Sequence, residues 1–419
     1  MRLSAFGKRF TRPSGILQLM EDLGTALAGR GNTLMLGGGN PGHIPEVQRL
    51  FRARLQEILA TPGEFEQLIG NYDPPKGEAG FIDALATLLR REFGWDLGPE
   101  NIALTPGSQS GFFMLFNMFA GVFDHGKHKK ILLPLAPEYI GYADLGLAPH
   151  FFTAKRPVIN ILDRHVFKYQ VDFSDLSLTD EIGAICVSRP TNPTGNVLTD
   201  EEIMRLAELA QAQGIPLIID NAYGAPFPNI LFTEIRPVWN RSIILCMSLS
   251  KLGLPGARTG IIIASEAIIE TVANLNAILN LASGSLGPAL ALKLVRSGEI
   301  TRISRKIITP YYQKRMEQAL TWLRQGLEGC EYYVHKPEGA LFLWLWLRDL
   351  PITSAELYQR LKQRGVLVVP GHYFFPGLEE AWRHTEECIR ITYSQAPEIV
   401  QKGLAILAEE VRKAYAEGG

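Results

Sequence analysis

Residues 184–224 read AICVSRPTNPTGNVLTDEEIMRLAELAQAQGIPLIIDNAYG, and this stretch decides the fold class. Two short apolar runs, AICV and IPLII, flank a segment whose apolar residues recur at helical spacing. Thr199 and Glu202 can form a capping box at the start of that segment, and Gly214 can end it. The pattern therefore predicts a strand, a crossover helix and a second strand parallel to the first.

The same alternation continues on both sides of this unit. Further apolar runs are IAL at 102, ILL at 131, SIILC at 242 and GIIIA at 260, with helical patterns between them. This order is typical of a mostly parallel sheet covered by helices on both faces. After about residue 305 a long helix and the strands ALFLWLWL, GVLVV and CIRITY indicate a smaller α+β unit. We expect an α/β protein with a large domain at 48–305 and a small domain formed by 1–47 and 306–419.

The composition favours an enzyme acting on small molecules. The chain has 419 residues, of which 46% are hydrophobic and 20% charged, and its formal net charge is −1. No excess of basic residues attracts nucleic acid or an anionic bilayer, and the uncharged stretches 101–123 and 271–292 contain polar groups that hydrocarbon could not satisfy. The four cysteines lack metal or redox spacing, and the N-terminus lacks the pattern of a secretory signal. We expect a cytoplasmic protein with reduced thiols.

Two predicted strands end in loops with turn chemistry and hydrogen-bonding groups. Ligands of open α/β sheets bind beyond the carboxyl ends of the strands, so these loops are the first candidates for a site. After IAL, Ser108 and Gln109 lie in TPGSQSG at the start of a helix, where a phosphate can bind. The loop is neither a Walker loop nor a nucleophile elbow. After AICV, Asn192 lies in NPTG, which alone is a good structural turn.

Two further strand ends carry ionisable groups. Asp220 follows IPLII with Tyr223 three positions later, and a carboxylate at the end of an apolar strand needs a partner of opposite charge. After SIILC, the loop SLSKLGLPGAR contains Ser248, Lys251 and Arg258. A lysine whose pKa is lowered by burial and nearby cations can form an imine. Taken singly, the acid fits a helix cap or structural ion pair as well, and the lysine fits a solvated surface.

Together, these loops resemble those of the fold-type I pyridoxal-phosphate enzymes, in particular the class I and II aminotransferases. The resemblance extends from GGGNP at 37–41 through NYDPPKG at 71–77 to CIRITY at 388–393. It implies the pyridoxal-phosphate-dependent transferase fold, pyridoxal 5′-phosphate as cofactor and a ping-pong exchange of amino groups. PLAPEYIGYAD, CVSRPTNPTGN and VPGHYFFPG are similar to members acting on small aliphatic amino acids. This implies L-valine or L-alanine as donor and pyruvate or 2-oxoisovalerate as the matching oxo acid.

The resemblance also implies roles around the cofactor ring. Lys251 matches the Schiff-base lysine of the family, which later moves the substrate proton. Asp220 matches the acid that keeps the pyridine nitrogen protonated. Tyr223 and Asn192 match the hydrogen-bonding partners of the 3′ oxygen of the ring, and Tyr139 matches the stacked aromatic side chain.

For the rest of the site, the resemblance implies groups that hold the phosphate and the substrate. Tyr72 matches a tyrosine that reaches the phosphate from the neighbouring subunit, which implies a homodimer with shared sites. Arg390 matches the arginine that binds the substrate carboxylate, and Gly38 lies in the segment that closes over the substrate. Arg258 lies seven positions after Lys251, where the commonest spacing is eight. The expected phosphate ligands of the same chain are Ser108, Gln109, Ser248 and Arg258.

Other functions remain open at this point. A transaminase of aromatic or kynurenine-type donors and a β-eliminating lyase use the same fold. A ligand-sensing regulator would carry a DNA-binding module, and a nicotinamide oxidoreductase would carry GxGxxG after a strand; the sequence has neither pattern. No two histidines have i, i+4 spacing, so we expect no metal site. Solvated loop positions are expected for His43, His372 and His384, and core positions for Phe342, Trp344 and Trp346.

Overall fold

The computed structural model describes residues 2–11, 14–27 and 33–418. The helices in this part of the chain are α1 (Ala5–Arg9), α2 (Gly15–Leu27), α3 (Pro45–Ala60), α4 (Glu64–Gly70), α5 (Ala79–Phe93), α6 (Ser108–Phe119), α7 (Asp200–Ala212), α8 (Glu266–Asn280), α9 (Leu286–Ser297), α10 (Glu299–Ile303), α11 (Thr309–Gly326), α12 (Ser354–Gln363), α13 (His384–Glu387) and α14 (Pro397–Gly418). The strands are β1 (Leu34–Met35), β2 (Ile102–Thr105), β3 (Gly121–Val122), β4 (His128–Leu133), β5 (Phe152–Ala154), β6 (Val158–Asp163), β7 (Val166–Gln170), β8 (Ile182–Ser188), β9 (Leu217–Asp220), β10 (Ile243–Ser248), β11 (Gly260–Ile263), β12 (Tyr333–His335), β13 (Phe342–Trp346), β14 (Val366–Leu367), β15 (Val369–Pro370) and β16 (Cys388–Thr392).

The larger sheet has the strand order β2-β11-β10-β9-β8-β4-β3, with β5 paired to β4. Neighbours from β10 to β5 run parallel, while β11 is antiparallel to both β10 and β2. Because the central strands are buried on both faces, they are almost wholly apolar. All six apolar runs predicted from the sequence are strands of this sheet, and the predicted mostly parallel α/β fold is confirmed.

The crossover helix α7 begins and ends where its sequence predicts. The Thr199 hydroxyl accepts from the backbone N of Glu202 at 3.1 Å, and the Glu202 carboxylate accepts from the backbone N of Thr199 at 2.8 Å. Gly214 follows the last turn with a φ of +64°, a conformation that glycine adopts without strain. The helix buries an apolar face formed by Ile203, Leu206, Ala207 and Ala210.

The smaller sheet has the order β15-β16-β13-β12-β7-β6. Its strands β12, β13, β15 and β16 come from the C-terminal part of the chain, as expected, while β14 pairs with β1 in a separate two-stranded sheet. The hairpin of β6 and β7, however, lies inside the stretch predicted as the large domain, and it joins this sheet through the parallel pairing of Val166 with Val334. The division at 48–305 stays a prediction, and this sheet draws on both of the predicted units.

His384 differs from the sequence prediction. Its side chain is only 3% exposed, between the rings of Trp382 and Trp346, and its Nε2 contacts the Tyr169 hydroxyl and lies 3.5 Å from Cys388 Sγ. The prediction of a solvated loop position is wrong here because α13 turns the chain inward just before β16. Burial lowers the pKa of His384 to about 3, so this ring stays neutral.

The remaining expectations concern metals, membranes and thiols. Within residues 2–11, 14–27 and 33–418, no three histidine, cysteine or acidic side chains converge on a metal-binding position. In the same ranges no helix has both the length and the apolar character to span a bilayer. All four cysteines are free thiols.

Candidate active site

Lys251 lies just beyond β10, in a 3₁₀ turn at the carboxyl edge of the larger sheet. Its Nζ donates a hydrogen bond to the carbonyl oxygen of Gly39 at 2.6 Å and lies 5.5 Å from the centre of the Tyr223 ring. Burial, together with the positive charges of Arg390 and Arg258, lowers the pKa of Lys251 to about 8. A substantial fraction of this amine is therefore unprotonated and nucleophilic near neutral pH.

Arg390 is buried on β16, with 1% of its surface exposed. One guanidinium nitrogen donates to Asn192 Oδ1 at 2.7 Å and the other to the Gly37 carbonyl at 2.5 Å, while the group lies over the rings of Phe342 and Phe374. Burial lowers the pKa of Arg390 to about 10. Its Nε has no hydrogen-bond partner, and no carboxylate of the described chain pairs with it. This buried cation therefore lacks an anion that a substrate carboxylate would supply.

One short segment joins these two cations. We call residues 37–39, which follow β1, the glycine segment; its first carbonyl accepts from Arg390 and its third from Lys251. Gly38 lies buried between them. At Gly37, a Cβ atom would lie 3.0 Å from the backbone oxygen of Val368, so a side chain there would be tightly confined. The structure thus places the predicted closing segment directly against the lysine and the arginine.

Asp220 ends β9 at the same edge of the sheet. Its Oδ2 accepts from the Tyr142 hydroxyl at 2.7 Å and its Oδ1 from the backbone N of Ala222 at 3.0 Å. Burial raises the pKa of Asp220 in spite of these bonds. Since no ion pair to Asp220 occurs among the residues that the structure describes, a protonated ring nitrogen fits as its partner.

The N-terminus of α6 forms the anion-binding end of the site. Ser108 and Gln109 occupy its first turn, and Gly107 before them offers no side-chain cap. A Cβ on Gly107 would lie 2.0 Å from Arg258 Nη2, so the guanidinium lies against this turn despite the spacing of seven. Gln109 uses its amide to donate to the Gly141 carbonyl at 2.8 Å. Free backbone N–H groups and a cation together suit a phosphate.

Three further predicted side chains lie around Lys251, Asp220 and the start of α6. Ser248, at the end of β10, is buried and donates to the Thr259 carbonyl at 3.3 Å. Tyr139 is half-buried with its ring edge toward Tyr142, and burial raises the pKa of its hydroxyl. Tyr223 is buried, and burial raises its pKa well above the ordinary range. Both phenols therefore remain protonated donors at neutral pH.

Tyr72 differs from the other predicted residues. It lies in the loop after α4 and is 81% exposed, so it takes no buried place in the site of its own chain. A cavity of about 160 Å³ opens beside Lys251, bounded by residues 40–51 and by Tyr312. Among the predicted site residues Lys251 lines this cavity, and Arg390, on β16 of the smaller sheet, is linked to it through the glycine segment.

The sequence analysis missed Glu138 and Tyr142. The Ser188 backbone N donates to Glu138 Oε1 at 2.8 Å, the Ser188 hydroxyl is hydrogen-bonded to Oε2 at 2.5 Å, and Tyr142 donates to Asp220. A signal was present, because Glu138 lies beyond the carboxyl end of β4, at the same edge of the sheet where Asp220 ends β9. The longer gap after β4 and the intervening prolines concealed it.

Comparison with known proteins places the chain in context. The family model described as aminotransferase class I and II matches residues 53–406. The chain is 54% identical over 417 residues to the valine–pyruvate aminotransferase of Escherichia coli K12, with all of both chains covered. It also resembles the crystal structure of valine–pyruvate aminotransferase from Salmonella typhimurium LT2, with a TM-score of 0.88, 53% identity and coverage of 96% of this chain and 100% of that one. A putative amino-acid aminotransferase from Psychrobacter arcticum 273-4 gives a TM-score of 0.96 at 47% identity, with 99% of each chain covered.

Proposed function

The chain belongs to the class I and II aminotransferases, which transfer amino groups with the aid of pyridoxal 5′-phosphate, and from this premise we propose its substrates. The proposed reaction exchanges the amino group of L-valine, L-alanine or a similar small aliphatic amino acid with pyruvate or 2-oxoisovalerate. The printed names of two relatives, both valine–pyruvate aminotransferases, support this substrate class. The observation that carries the proposal is the glycine segment, whose carbonyls hold the reactive Lys251 and the unpaired Arg390 within one site.

The cofactor would be held at its ring nitrogen and at its phosphate. Asp220 would hold the pyridine nitrogen in its protonated form, since each group supplies the charge that the other lacks. Ser108 and Gln109 at the start of α6, with Ser248 and Arg258, hold the phosphate. When bound, pyridoxal phosphate supplies an aldehyde that receives the amino group and a ring that takes up the electron pair of the broken Cα–H bond.

Lys251 carries the proton transfers. Its Nζ would hold the resting cofactor, and with substrate bound the free Nζ would take the proton from the substrate Cα and deliver it to the cofactor carbon that carries the transferred nitrogen. The lowered pKa keeps the amine available as a base near neutral pH. Tyr223 and Asn192 would donate to the 3′ oxygen of the ring, and Tyr139 would offer its aromatic face to the ring.

Arg390 binds and orients the substrate through its carboxylate. A bidentate pair would replace the bond to the Gly37 carbonyl and bring an anion to the buried guanidinium. Because Asn192 also holds Arg390, the same amide links the substrate end to the ring end. Gly38, between the two carbonyls, covers the substrate once it is bound.

A homodimer would bring Tyr72 into use. Tyr72 and Ile69, three positions apart in the chain, both have strongly exposed side chains, and the loop after Tyr72 is tied to α8 because Asn276 donates to the Pro75 carbonyl at 3.1 Å. Large exposed apolar side chains of this kind are typical of a subunit interface. We assign Tyr72 to the phosphate site of the neighbouring subunit.

We also assign the protein to the cytoplasm, where its free cysteines would remain reduced.

The test is an absorbance spectrum of the protein with pyridoxal phosphate before and after L-valine, together with a Lys251→Ala variant. The wild type should show the band of the lysine-bound cofactor, lose it with L-valine and regain it with pyruvate. The variant should retain the cofactor without this cycle and lose at least ~10⁴-fold in turnover.

Other outcomes would change the assignment. A band that ignores L-valine but responds to phenylalanine or kynurenine would overturn the substrate class. Release of ammonia and pyruvate from a β-substituted alanine, at a rate above transamination, would identify a lyase. A wild-type protein that forms no band at all would contradict the assignment of Lys251 as the cofactor-binding lysine and, with it, the proposed reaction.

A further inference from the structure

Glu138 is a buried carboxyl to which the proposed reaction gives no part. It lies in the loop after β4, one position before Tyr139, and is 1% exposed. Ser188 at the end of β8 is hydrogen-bonded to both of its oxygens, through its backbone N to Oε1 and through its hydroxyl to Oε2, and the Glu138 backbone N donates to the Phe374 carbonyl at 2.8 Å. The side chain is therefore fixed in one orientation between the larger sheet and the loop whose Phe374 ring lies under Arg390.

The hydrogen bonds of Glu138 continue to Asp220. The Ser188 hydroxyl that contacts Glu138 lies 3.5 Å from the Tyr142 hydroxyl, which in turn donates to Asp220 at 2.7 Å. Ser188 and Asp220 are paired in register on neighbouring strands, so the sheet fixes the two ends relative to each other. We call Glu138, Ser188, Tyr142 and Asp220 the carboxyl network.

The charges around the carboxyl network decide where its protons lie. The titratable groups that face Glu138 are Asp220 on β9, Cys186 on β8, and Tyr139 and Tyr142 on its own loop, and none of these is a cation. In the described part of the chain no lysine, arginine or histidine forms an ion pair with either carboxyl. Burial raises the pKa of Glu138 to about 8, and the negative charge of Asp220 acts in the same direction. At neutral pH Glu138 therefore keeps its proton, while the hydrogen bonds from Tyr142 and Ala222 and the positive charge of Lys251 favour the ionised form of Asp220 against the effect of burial.

We propose that Glu138 is a positioning residue that, in its protonated form, turns the hydroxyl donors of Ser188 and Tyr142 toward Asp220 and keeps the negative charge of the network there. The inference rests on the proposed role of Asp220 opposite the pyridine nitrogen. Glu138 acts only through its neighbours.

The direction of the donors follows from the protonation of Glu138. A protonated Oε2 donates to the Ser188 hydroxyl, which is then free to donate to Tyr142, and Tyr142 donates to Asp220. Oε1 remains the acceptor for the Ser188 backbone N. An ionised Glu138 would instead accept a hydrogen bond from the Ser188 hydroxyl. That hydroxyl could then no longer donate to Tyr142, and the series of hydrogen bonds toward Asp220 would be broken. Glutamine reproduces the protonated form, because its amide offers one acceptor and one donor at the same two places.

The experiment compares Glu138→Gln with Glu138→Leu, and measures the Kd for pyridoxal phosphate, the pH dependence of the cofactor absorbance and the pH dependence of unfolding of the cofactor-free protein. We expect E138Q to stay within about threefold of the wild-type Kd and E138L to raise it ~10-fold or more, since a hydrogen bond that supports a charge is lost. The absorbance of bound cofactor should titrate as in the wild type for E138Q and shift for E138L. The matched control is Glu410→Gln. Glu410 is a buried glutamate of α14 that pairs with Arg364 and Lys413, and its replacement should leave the Kd unchanged.

The cofactor-free protein supplies a readout independent of catalysis. Glu138 has an ordinary pKa near 4.5 when unfolded and one near 8 when folded, so the unfolded form gains more charge as pH rises between these values. Wild-type stability should therefore fall from pH 5 to pH 8 by more than that of E138Q, whose amide does not titrate. If stability depends on pH equally in the wild type and in E138Q, Glu138 is not protonated at neutral pH and the proposal is overturned.

The remaining outcomes are also decisive. Equal Kd values for E138Q and E138L would overturn the positioning role. If E138L does not fold, Tyr142→Phe replaces it, because it removes the donor to Asp220 and keeps the ring; an unchanged Kd in Y142F would then overturn the proposal. A wild-type protein without cofactor binding would instead refute the proposed function, and the two failures are distinguishable.

Discussion

The cofactor end and the substrate end of the site are built in different ways. At the cofactor end, Asp220, Ser248 and the start of α6 all lie at the carboxyl edge of one sheet, on strands whose registers fix their spacing. At the substrate end, Arg390 is held by a carbonyl of the glycine segment and by Asn192, which come from three parts of the chain distant in sequence. The first end is positioned by one sheet, and the second by the meeting of separate segments.

This difference indicates where each end is sensitive. The cofactor end depends on close packing at a few points, such as Gly107 beneath Arg258, while the substrate end depends on a single buried cation. Changes at one end should therefore leave the measurements that report on the other end largely intact. Three predictions test that separation.

The largest effect is expected from Arg390→Met, which removes the charge but keeps the length of the side chain. Loss of a buried partner for the substrate carboxylate should lower kcat/KM by ~10³-fold, chiefly through KM. The Kd for pyridoxal phosphate should stay within about threefold of wild type, since the cofactor end does not use this group. Steady-state kinetics and cofactor titration measure the two quantities.

The matched control for R390M is Arg360→Met, which removes a cation that pairs at the surface with Glu356 and Glu417. It should leave both quantities near the wild-type values. Equal losses of substrate and cofactor affinity in R390M would show that the two ends are not separable.

Gly107→Ala should act on the cofactor end alone. The new methyl group would lie 2.0 Å from Arg258 Nη2 at a φ of +86°, so the guanidinium must leave the first turn of α6. Loss of one charge-assisted contact to the phosphate should raise the Kd for the cofactor ~30-fold. The KM for the amino acid, measured with saturating cofactor, should change little.

Gly63→Ala provides the control, since Gly63 also has a positive φ, +80°, but nothing within 4 Å of the new methyl group. It should cost about 1 kcal/mol of stability and leave the cofactor affinity intact. A weakened cofactor in G63A as well would assign the effect to backbone strain instead of Arg258.

The smallest effect concerns the amine of Lys251. Because its pKa is lowered to about 8, the neutral fraction, and with it the rate at which cofactor-free protein binds pyridoxal phosphate covalently, should rise ~10-fold from pH 7 to pH 9 and then level off. An unperturbed lysine would keep gaining rate up to pH 10.5. Stopped-flow absorbance measures the rate.

Arg390 sharpens this prediction, because its charge contributes to the lowered pKa of Lys251 after burial does. In R390M the midpoint should move to higher pH. An unchanged midpoint would mean that burial alone lowers the pKa of Lys251, and that the two ends of the site are electrostatically independent.

The cofactor end was largely predictable from the sequence. Apolar runs fix the strands, and the rule that ligands bind at their carboxyl ends selects Asp220, Lys251 and Ser108 without knowledge of any contact. The capping box of α7 was predictable for a similar reason, because it involves residues only three positions apart. Local chemistry and strand order are both properties of the linear sequence.

Contacts between distant segments were not predictable. Neither the two carbonyls of the glycine segment nor the proximity of Glu138 to Asp220 follows from periodicity, because a backbone oxygen has no sequence signature and a lone acid resembles any surface acid. His384 is the opposite case. Its sequence context predicts a solvated side chain, but contacts with distant residues bury it. The hairpin of β6 and β7 was assigned by its position in the chain, while its true partners are set by topology.

That hairpin also bears on how the protein is made. Val166 on β7 pairs with Val334 on β12, 168 residues further along the chain. At roughly 5–20 residues per second of synthesis, the β7 edge emerges from the ribosome about ten to thirty seconds before its partner exists. Throughout that interval the β6–β7 hairpin of the nascent chain presents one unpaired strand edge, a natural point of contact for a chaperone or a second copy. The strand that carries Arg390 comes later still, so the substrate end is completed last.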